Sequence, residues 1–186
     1  FALYQEFEGS LSVFSDGMVI RDHLAQERMG ERQRRLLSLS TEAKQPNDGR
    51  FHIVRDTVEW MSRNAHAIEK FCMFFENAEA AEAALPRFYA LEGVEVVQGS
   101  PDNIEVTAKG VDKGSALLAL ADRLGIPHEC TLAVGDSDND RAMLEKAGVA
   151  AVMANGMEHV KQLADIVSEN DCDHDGVAEI FARLSV

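Results

Sequence analysis

Three aspartates lie within five residues in the segment 135–140, which reads Gly-Asp-Ser-Asp-Asn-Asp. Carboxylates this close repel one another unless a cation lies among them, and Mg²⁺ binds carboxylate and phosphate oxygens together. The segment follows an apolar run and precedes a helical pattern, and ligands of open α/β sheets bind at the carboxyl ends of strands. A purely structural alternative is that Asp138 caps the helix and the other two aspartates favour its positive N-terminus.

Lys113 is the second residue whose position suggests chemistry. It falls in the first turn of a predicted helix, where a cation is disfavoured by about 0.3–1 kcal/mol. A lysine in such a place is explained by an anion with which it pairs, such as a phosphate or a carboxylate. The alternative is an ordinary surface lysine.

The residues from Lys109 onward alternate between strand and helix patterns. Gly125 and Pro127 mark the end of the first of these helices. Alternation at this spacing favours a parallel α/β sheet. The predicted buried strands are 130–134, 149–153 and 166–168, and the predicted helices are 112–124, 141–147, 157–163 and 176–184.

The residues before about Ala108 follow a different pattern, in which strand-like segments outnumber long helices. Segments 94–97 and 104–106 are predicted to form the arms of a hairpin. Asn77 is expected to cap an alanine-rich helix, and residues 41–50 to form an exposed loop. We therefore predict two domains. Residues 1–108 form an α+β domain with an antiparallel sheet and helices on one face, and residues 109–186 form the α/β domain.

The charge and composition narrow the range of partners. A formal net charge of −14 argues against nucleic acid and anionic membranes, since both require a basic surface. No apolar stretch reaches the roughly 18 residues that a membrane span needs. The three cysteines are widely spaced and form no C-x-x-C pair, which is typical of reduced thiols in a cytoplasmic protein.

Four motifs in the second half of the chain occur in a recognisable order. They read V-D-K-G-S-A-L-L-A-L, A-V-G-D-S-D-N-D-R-A-M-L, A-G-V-A-A-V-M-A-N-G and, near the end, D-G-V. From about Phe71 to the C-terminus the chain resembles the haloacid dehalogenase superfamily, and within it the Cof-like sugar phosphatases. The resemblance implies the C-terminal half of a Rossmann-like parallel core, preceded by an α+β cap domain that selects the substrate.

The resemblance also implies an activity and its residues. The activity is Mg²⁺-dependent hydrolysis of a small phosphorylated metabolite through a phospho-aspartyl intermediate. Lys113 matches the lysine that neutralises the nucleophile and the phosphoryl group, and Asp136 matches the Mg²⁺ ligand. Asp140 matches a second acidic position that binds the metal directly or through water, and Asn139 matches an asparagine near the phosphate. Asp138 receives no role.

One departure from the family pattern is large. The first family motif, an apolar strand that ends in Asp-x-Asp-Gly-Thr or Val, is not found. The most similar segment, 14–18, reads Phe-Ser-Asp-Gly-Met and places Phe14 at the nucleophile position, so we predict a strand and a turn of the cap there. The expectation is that an upstream segment of about three strand–helix units, or roughly 90 residues, carries the nucleophile, and that these 186 residues alone are inactive.

Several alternatives stay open from the sequence. A phosphomutase uses the same chemistry, and a non-catalytic binding or regulatory fragment would need no nucleophile. The sequence does not indicate the oligomeric state or the substrate. Four arginines of the predicted cap are possible contacts to a phosphate or a sugar: Arg50, Arg55, Arg63 and Arg87.

A second acidic segment, 171–176, imitates a calcium-binding loop. Its sequence Asp-Cys-Asp-His-Asp-Gly matches the first six positions of an EF-hand loop. The twelfth position should be a bidentate Glu but is Ala182. We predict a turn between a strand and a helix, with Asp175 as the helix cap.

Overall fold

The computed structural model describes residues 3–37 and 51–184. The contacts of these residues form two compact units, one within Phe1–Val96 and Ser100–Ala108 and the other within Val97–Gly99 and Lys109–Val186. We call them the N-terminal unit and the C-terminal unit. The predicted exposed loop, 41–50, lies outside the described residues. None of the helices in the described ranges is both long enough and apolar enough to span a membrane.

Within the described residues, the N-terminal unit is built on one sheet of six strands. The strands are β1 (Ser10–Ser15), β2 (Met18–Asp22), β3 (Phe51–Val54), β4 (Lys70–Phe74), β5 (Val94–Val97) and β6 (Asn103–Ala108). The helices are α1 (His23–Leu37), α2 (Thr57–Asn64) and α3 (Ala78–Tyr89). In the sheet the strands follow the order β3-β2-β1-β4-β6-β5. As predicted, the two segments expected to form a hairpin, β5 and β6, are neighbours.

The sheet is mixed rather than wholly antiparallel. Strand β1 pairs antiparallel with β2 and with β4, and β4 pairs antiparallel with β6. Strands β2 and β3 instead run parallel, so the prediction of an antiparallel sheet is wrong for this pair. The reason is the connection, because α1 lies between these strands in sequence and provides the long crossover that a parallel pair needs.

One face of this sheet forms the hydrophobic core with α2 and α3. The core joins Met61 of α2 and Phe88 of α3 to alternate residues of the strands. Asn77 caps α3 as predicted, since its side chain accepts a hydrogen bond of 2.9 Å from the backbone N–H of Ala80. The strand residues of the core are Leu11, Val13, Ile20, Met73, Ile104 and Val106.

The segment that imitates a nucleophile motif is a tight hairpin. Strands β1 and β2 are joined by Asp16 and Gly17, with φ angles of 50° and 72°. Two consecutive residues with positive φ are typical of a type I′ turn, which matches the twist of the flanking strands. This confirms the prediction of a strand followed by a turn, and Phe14 pairs with Val19 across the hairpin.

The C-terminal unit contains a parallel sheet of three strands and four helices. Its strands are β7 (Leu132–Gly135), β8 (Val149–Val152) and β9 (Ile166–Val167), in the order β7-β8-β9. Its helices are α4 (Lys113–Leu124), α5 (Arg141–Lys146), α6 (Glu158–Lys161) and α7 (Gly176–Leu184). Both strand pairs are parallel, which confirms the predicted sheet. Strand β7 begins two residues later than predicted because His128–Cys130 form a 3₁₀ turn.

Helix α4 begins at a well-defined capping motif. The side chain of Asp112 accepts the backbone N–H of Ser115 at 2.6 Å, and the hydroxyl of Ser115 accepts the N–H of Asp112 at 3.0 Å. This reciprocal pair satisfies two donors that a helix start otherwise leaves unpaired. Gly125, with φ of 67°, ends the helix in the left-handed conformation.

Gly114 brings α4 close to α5. A Cβ atom at this position would overlap the backbone carbonyl oxygen of Ala142. The two helices therefore meet at a point where only a glycine fits, one residue after Lys113.

We expect Gly114→Ala to lower the free energy of unfolding by about 1–2 kcal/mol, because overpacking costs more than the roughly 1 kcal/mol that alanine gains in a helix. The matched control is Gly30→Ala within α1, where an added Cβ meets no atom of the described residues within 4 Å and stability should stay equal or rise. Urea denaturation of both variants measures the difference. A Gly114→Ala variant as stable as the parent chain would contradict the close approach of the helices.

Candidate functional site

The predicted acidic segment lies at the carboxyl end of β7. Asp136 follows the last residue of this strand, and its side chain is exposed. Within the described part of the chain, the carboxylate of Asp136 has no hydrogen-bond or ion-pair partner. An exposed and unpaired carboxylate at the end of a parallel strand is available to a ligand or a cation.

Asp140 is the centre of the hydrogen bonding in this segment. It is only 5% exposed. Its Oδ1 accepts a hydrogen bond from Lys113 Nζ at 2.5 Å, and its Oδ2 accepts the backbone N–H groups of Asp136 at 3.0 Å and Ser137 at 3.4 Å. One carboxylate therefore connects the start of α4, the end of β7 and the turn that leads into α5.

These contacts determine the protonation of Asp140. Burial alone would raise its pKa. The hydrogen bond and the positive charge of Lys113, together with the two backbone N–H donors, outweigh burial, so the pKa of Asp140 lies below its usual range. Asp140 is therefore ionised at neutral pH and holds the ammonium group of Lys113 in place.

Gly135 and two backbone hydrogen bonds determine how the loops after β7 and β8 lie beside each other. A Cβ atom on Gly135 would lie 2.5 Å from Cβ of Asp140, so a larger residue there would displace the buried carboxylate. The backbone N–H of Met157 donates to the carbonyl of Asp136 at 2.8 Å, and the N–H of Met153 donates to that of Gly135 at 3.1 Å. The backbone around Asp136 is therefore held by the neighbouring loop.

The other polar residues of the segment have different partners. The hydroxyl of Ser137 donates to Oδ1 of Asn139 at 2.9 Å. Asp138 lies 2.6 Å from Nε2 of His159 and makes no helix-capping bond, so the capping alternative fails for its side chain. The two carboxylates that matched family positions, Asp136 and Asp140, are thus joined through the backbone N–H of Asp136, while Asp138 pairs elsewhere.

The segment that imitates an EF-hand is a turn between β9 and α7, as predicted. Asp171 accepts the N–H of Asp173 at 3.0 Å and lies 2.6 Å from Nδ1 of His174. The hydrogen bond between these side chains lowers the pKa of Asp171 and raises that of His174. Asp175 stands at the N-cap position, where its carbonyl accepts the N–H of Glu179 at 3.0 Å.

This turn also contains a pattern that the sequence reasoning overlooked. Residues 173–177 read Asp-His-Asp-Gly-Val, which has the letters of the first family motif. That motif should follow an apolar strand directly, whereas five residues separate the end of β9 from Asp173. The segment therefore matches the motif in sequence but not in structural context. Asp175 also has a positive φ of 61°, directly before α7 begins.

The carboxylates of segment 135–140 are suitable ligands for Mg²⁺, both in chemical type and in number. Within residues 3–37 and 51–184, no three His, Cys, Asp or Glu side chains come together as a metal-binding group. Mg²⁺ does not require one, since it usually keeps several waters and takes one or two carboxylates together with phosphate oxygens. The free carboxylate of Asp136 fits such a ligand, whereas both oxygens of Asp140 already accept hydrogen bonds.

The structure describes three of the four arginines singled out in the sequence. Arg63 pairs with Glu59 at 2.6 Å and Arg87 with Glu6 at 2.9 Å, on the surface of the N-terminal unit. Arg55 is exposed, and Arg50 lies outside the described residues. Arg63 and Arg87 are thus paired with different carboxylates.

Comparison with known proteins identifies the family. The model of the haloacid dehalogenase-like hydrolase family matches residues 4–181. The chain belongs to the haloacid dehalogenase-like hydrolases. A solved member of this family, a haloacid dehalogenase-like hydrolase from Bacillus subtilis, superimposes with a TM-score of 0.78 at 29% identity, covering 98% of this chain and 67% of that one. This confirms the predicted family and fold class, and it extends the similarity upstream of Phe71.

Two curated relatives that are named as phosphatases are similar over a shorter range. Phosphatase YwpJ of Bacillus subtilis is 41% identical over 106 residues, which are 57% of this chain and 37% of the relative. The 5-amino-6-(5-phospho-D-ribitylamino)uracil phosphatase YcsE of the same organism is 35% identical over 114 residues, which are 61% of this chain and 45% of the relative. The chain thus spans less than half the length of these two relatives.

We expect Asp140→Asn to destabilise the chain by about 1–2 kcal/mol at neutral pH, since it weakens the bond to a half-exposed Lys113 and to two backbone donors. The lowered pKa of Asp140 means that the unfolded chain takes up this proton at a higher pH than the folded chain does. The ionised carboxylate of Asp140 therefore makes its full contribution to the free energy of unfolding above about pH 4, the usual pKa range of a free aspartate. This contribution is lost as the pH falls through the lower pKa of Asp140 in the folded chain.

Urea denaturation between pH 2.5 and 7 measures this effect as the difference between the parent chain and Asp140→Asn. Asp138→Asn is the control, because its carboxylate pairs with an exposed histidine. A difference in the free energy of unfolding that stays constant down to the lowest pH would contradict the lowered pKa of Asp140.

Proposed function

We propose that this chain is part of a Mg²⁺-dependent phosphatase that hydrolyses a small phosphate monoester, of the sugar-phosphate class, through a phospho-aspartyl intermediate. The observation that carries the proposal is the ion pair between Lys113 and Asp140 beside the free carboxylate of Asp136, at the carboxyl end of β7. Membership of the haloacid dehalogenase-like hydrolases and the relatives named as phosphatases support it.

Lys113 is the residue that we expect to contact the phosphoryl group. Its ammonium group has three donors, of which one is bonded to Asp140, and its side chain is 49% exposed. The remaining donors can bind phosphoryl oxygens and stabilise the charge that develops on them. Asp140 acts as the positioning residue, because its buried carboxylate holds the ammonium group of Lys113 in place.

The metal site that we propose is centred on Asp136. Its carboxylate would hold Mg²⁺ directly, and Asp140 would reach the ion through water, since its own oxygens are already bonded. When bound, Mg²⁺ neutralises charge on the phosphate and orients it. Asn139, whose side-chain oxygen accepts from Ser137, would offer its amide nitrogen to the phosphate.

The attacking carboxylate is assigned to none of these 186 residues. The reaction forms a bond from a carboxylate oxygen to phosphorus as the bond to the leaving oxygen breaks, and water then hydrolyses the acyl phosphate. Asp136 is the proposed metal ligand and Asp140 is buried. Asp112 is bonded to Ser115 and Lys146, and Asp16 belongs to a hairpin turn. We propose that the nucleophile lies upstream and that the N-terminal unit is the cap.

The proposed substrate class is based on the chemistry of the site and on the names of the relatives. The YcsE relative is named for a 5-phospho-D-ribitylamino substrate, in which a phosphate is carried by a sugar-like chain. The phosphate monoester of such a substrate is close to a dianion at neutral pH, and its leaving group is an alkoxide. Lys113 and the metal ion would together match the charge of the phosphoryl group. Product analysis distinguishes the phosphatase, which releases free phosphate, from a phosphomutase, which returns an isomerised sugar phosphate.

We expect no turnover of p-nitrophenyl phosphate or sugar phosphates by the 186 residues alone in Mg²⁺, because loss of a nucleophile removes on the order of 10⁶ in rate. The protein translated from the complete coding sequence should hydrolyse them. In that protein, Lys113→Met should lower kcat by about 10²–10³. Asp138→Asn serves as the control and should remain active. Turnover by the 186 residues that is abolished by Asp136→Ala would show that a nucleophile lies within them.

We also expect weak binding of Mg²⁺ to the 186-residue chain, lost in Asp136→Asn, because one free carboxylate gives only part of the coordination. Isothermal titration calorimetry with Mg²⁺ and Ca²⁺ measures it. Asp171→Asn is the matched control, since this aspartate belongs to the other acidic segment and its removal should change nothing. Tight Ca²⁺ binding that depends on Asp171 and Asp173 would contradict the assignment and favour a calcium loop.

A further inference from the structure

Arg21 of β2 is a half-buried cation that has no carboxylate partner among the described residues. Among the arginines whose side chains the structure describes, it alone is not exposed. Its Nε donates to the hydroxyl of Ser12 at 2.7 Å, and its Nη1 donates to the side chain of Gln26 at 3.2 Å. Its guanidinium carbon lies 4.8 Å from the centre of the Phe51 ring. All three partners are neutral.

The sheet register places Arg21 in a row of side chains on the face opposite the hydrophobic core. Arg21 pairs with Ile53 of β3, and the β1–β2 register puts it beside Ser12. Ser12 pairs with Cys72, and Cys72 pairs with Glu105. Because alternate residues of a strand point to opposite faces, these side chains share one face, while Leu11, Val13 and Ile20 belong to the core.

The carboxylates near Arg21 are committed to other groups. Glu105 lies three strands away in the row, roughly 14 Å at about 4.8 Å per strand, and it pairs with Lys70 at 3.1 Å. Asp22, the next residue along β2, accepts the N–H of Ala25 at 2.7 Å and the hydroxyl of Thr57 at 3.1 Å. Within the described residues, no carboxylate therefore neutralises Arg21, in a chain whose net charge is −14.

Burial and preorganisation make this guanidinium unusual. Burial lowers the pKa of Arg21 below its ordinary value, which is the effect of removing a charge from water without an opposite charge beside it. Buried charges are ordinarily paired. The serine, the glutamine and the ring already fix the side chain, so a ligand that binds it loses little further freedom.

We propose that Arg21 is the centre of an oxyanion-binding site on this face of the N-terminal unit, which takes the phosphate or carboxylate group of a small metabolite. The inference goes beyond the proposed phosphatase activity and does not depend on it. Nη2 of Arg21 has no partner within the described part of the chain, so the fork formed by Nη1 and Nη2 keeps three of its four N–H donors. This fork matches the geometry of a carboxylate or a phosphate.

Nuclear magnetic resonance of the ¹⁵N-labelled 186-residue chain tests the proposal. The side-chain Nε–H signal of Arg21 is assigned from its loss in Arg21→Lys, which keeps the charge but not the fork. Inorganic phosphate and acetate are titrated separately at constant ionic strength, with chloride as the reference. A stronger response to phosphate assigns the site to phosphate-bearing ligands, and a stronger response to acetate assigns it to carboxylates.

The expected result is a saturable shift of the Arg21 Nε–H signal and of the Ser12 amide. Arg21→Lys should weaken the binding by at least about tenfold, as measured on the Ser12 amide, because hydrogen bonds between a fork and an ionised group are lost. Arg63→Met, which removes an exposed charge from α2, should leave it unchanged. An Arg21 signal that responds to neither anion, or that responds equally to chloride, would overturn the proposal. This signal is recorded on the unsubstituted chain, so the result does not depend on whether a variant folds.

Discussion

The ion pair between Lys113 and Asp140 is the interaction on which the geometry of the candidate site depends. A buried carboxylate is stable only where hydrogen-bond donors surround it, and Asp140 obtains them from Lys113 and from the backbone N–H groups of Asp136 and Ser137. The same bonds set the shape of the loop after β7. The carboxylate of Asp136 is exposed as a consequence, because the backbone beside it is turned towards Asp140.

The position of Lys113 depends in turn on how α4 begins. Its neighbour Asp112 forms the capping box with Ser115, and Lys146 of α5 lies 3.2 Å from both oxygens of Asp112. Gly114 then allows α4 to touch the backbone of α5. A cation in the first turn of a helix is unfavourable by itself, and here the carboxylate of Asp140 offsets that cost. The locally unfavourable residue is thus explained by a contact 27 positions along the chain.

What the sequence could predict was mainly local. The bounds of α4, the cap at Asn77 and the parallel strands of the C-terminal unit follow from periodicity, capping residues and glycines, and the structure confirms them. The parallel pairing of β2 with β3 could not be predicted, because it depends on a crossover rather than on a local pattern. The sequence predicted that Lys113 pairs with an anion, such as a phosphate or a carboxylate, but it did not identify Asp140 as the partner, because the contact joins residues 27 positions apart. The family roles of Asp136, Asp140 and Asn139 stay predictions.

The row of side chains that contains Arg21 has a consequence for the reactivity of thiols. Cys72 lies within this row and is buried, and burial raises its pKa to about 12. At neutral pH it is therefore a protonated thiol out of contact with reagents, whereas Cys130 and Cys172 are exposed. Because the thiolate is the nucleophilic form, alkylating reagents should mark the C-terminal unit of the folded chain first. The rate at which Cys72 is modified would then report how often the six-stranded sheet opens.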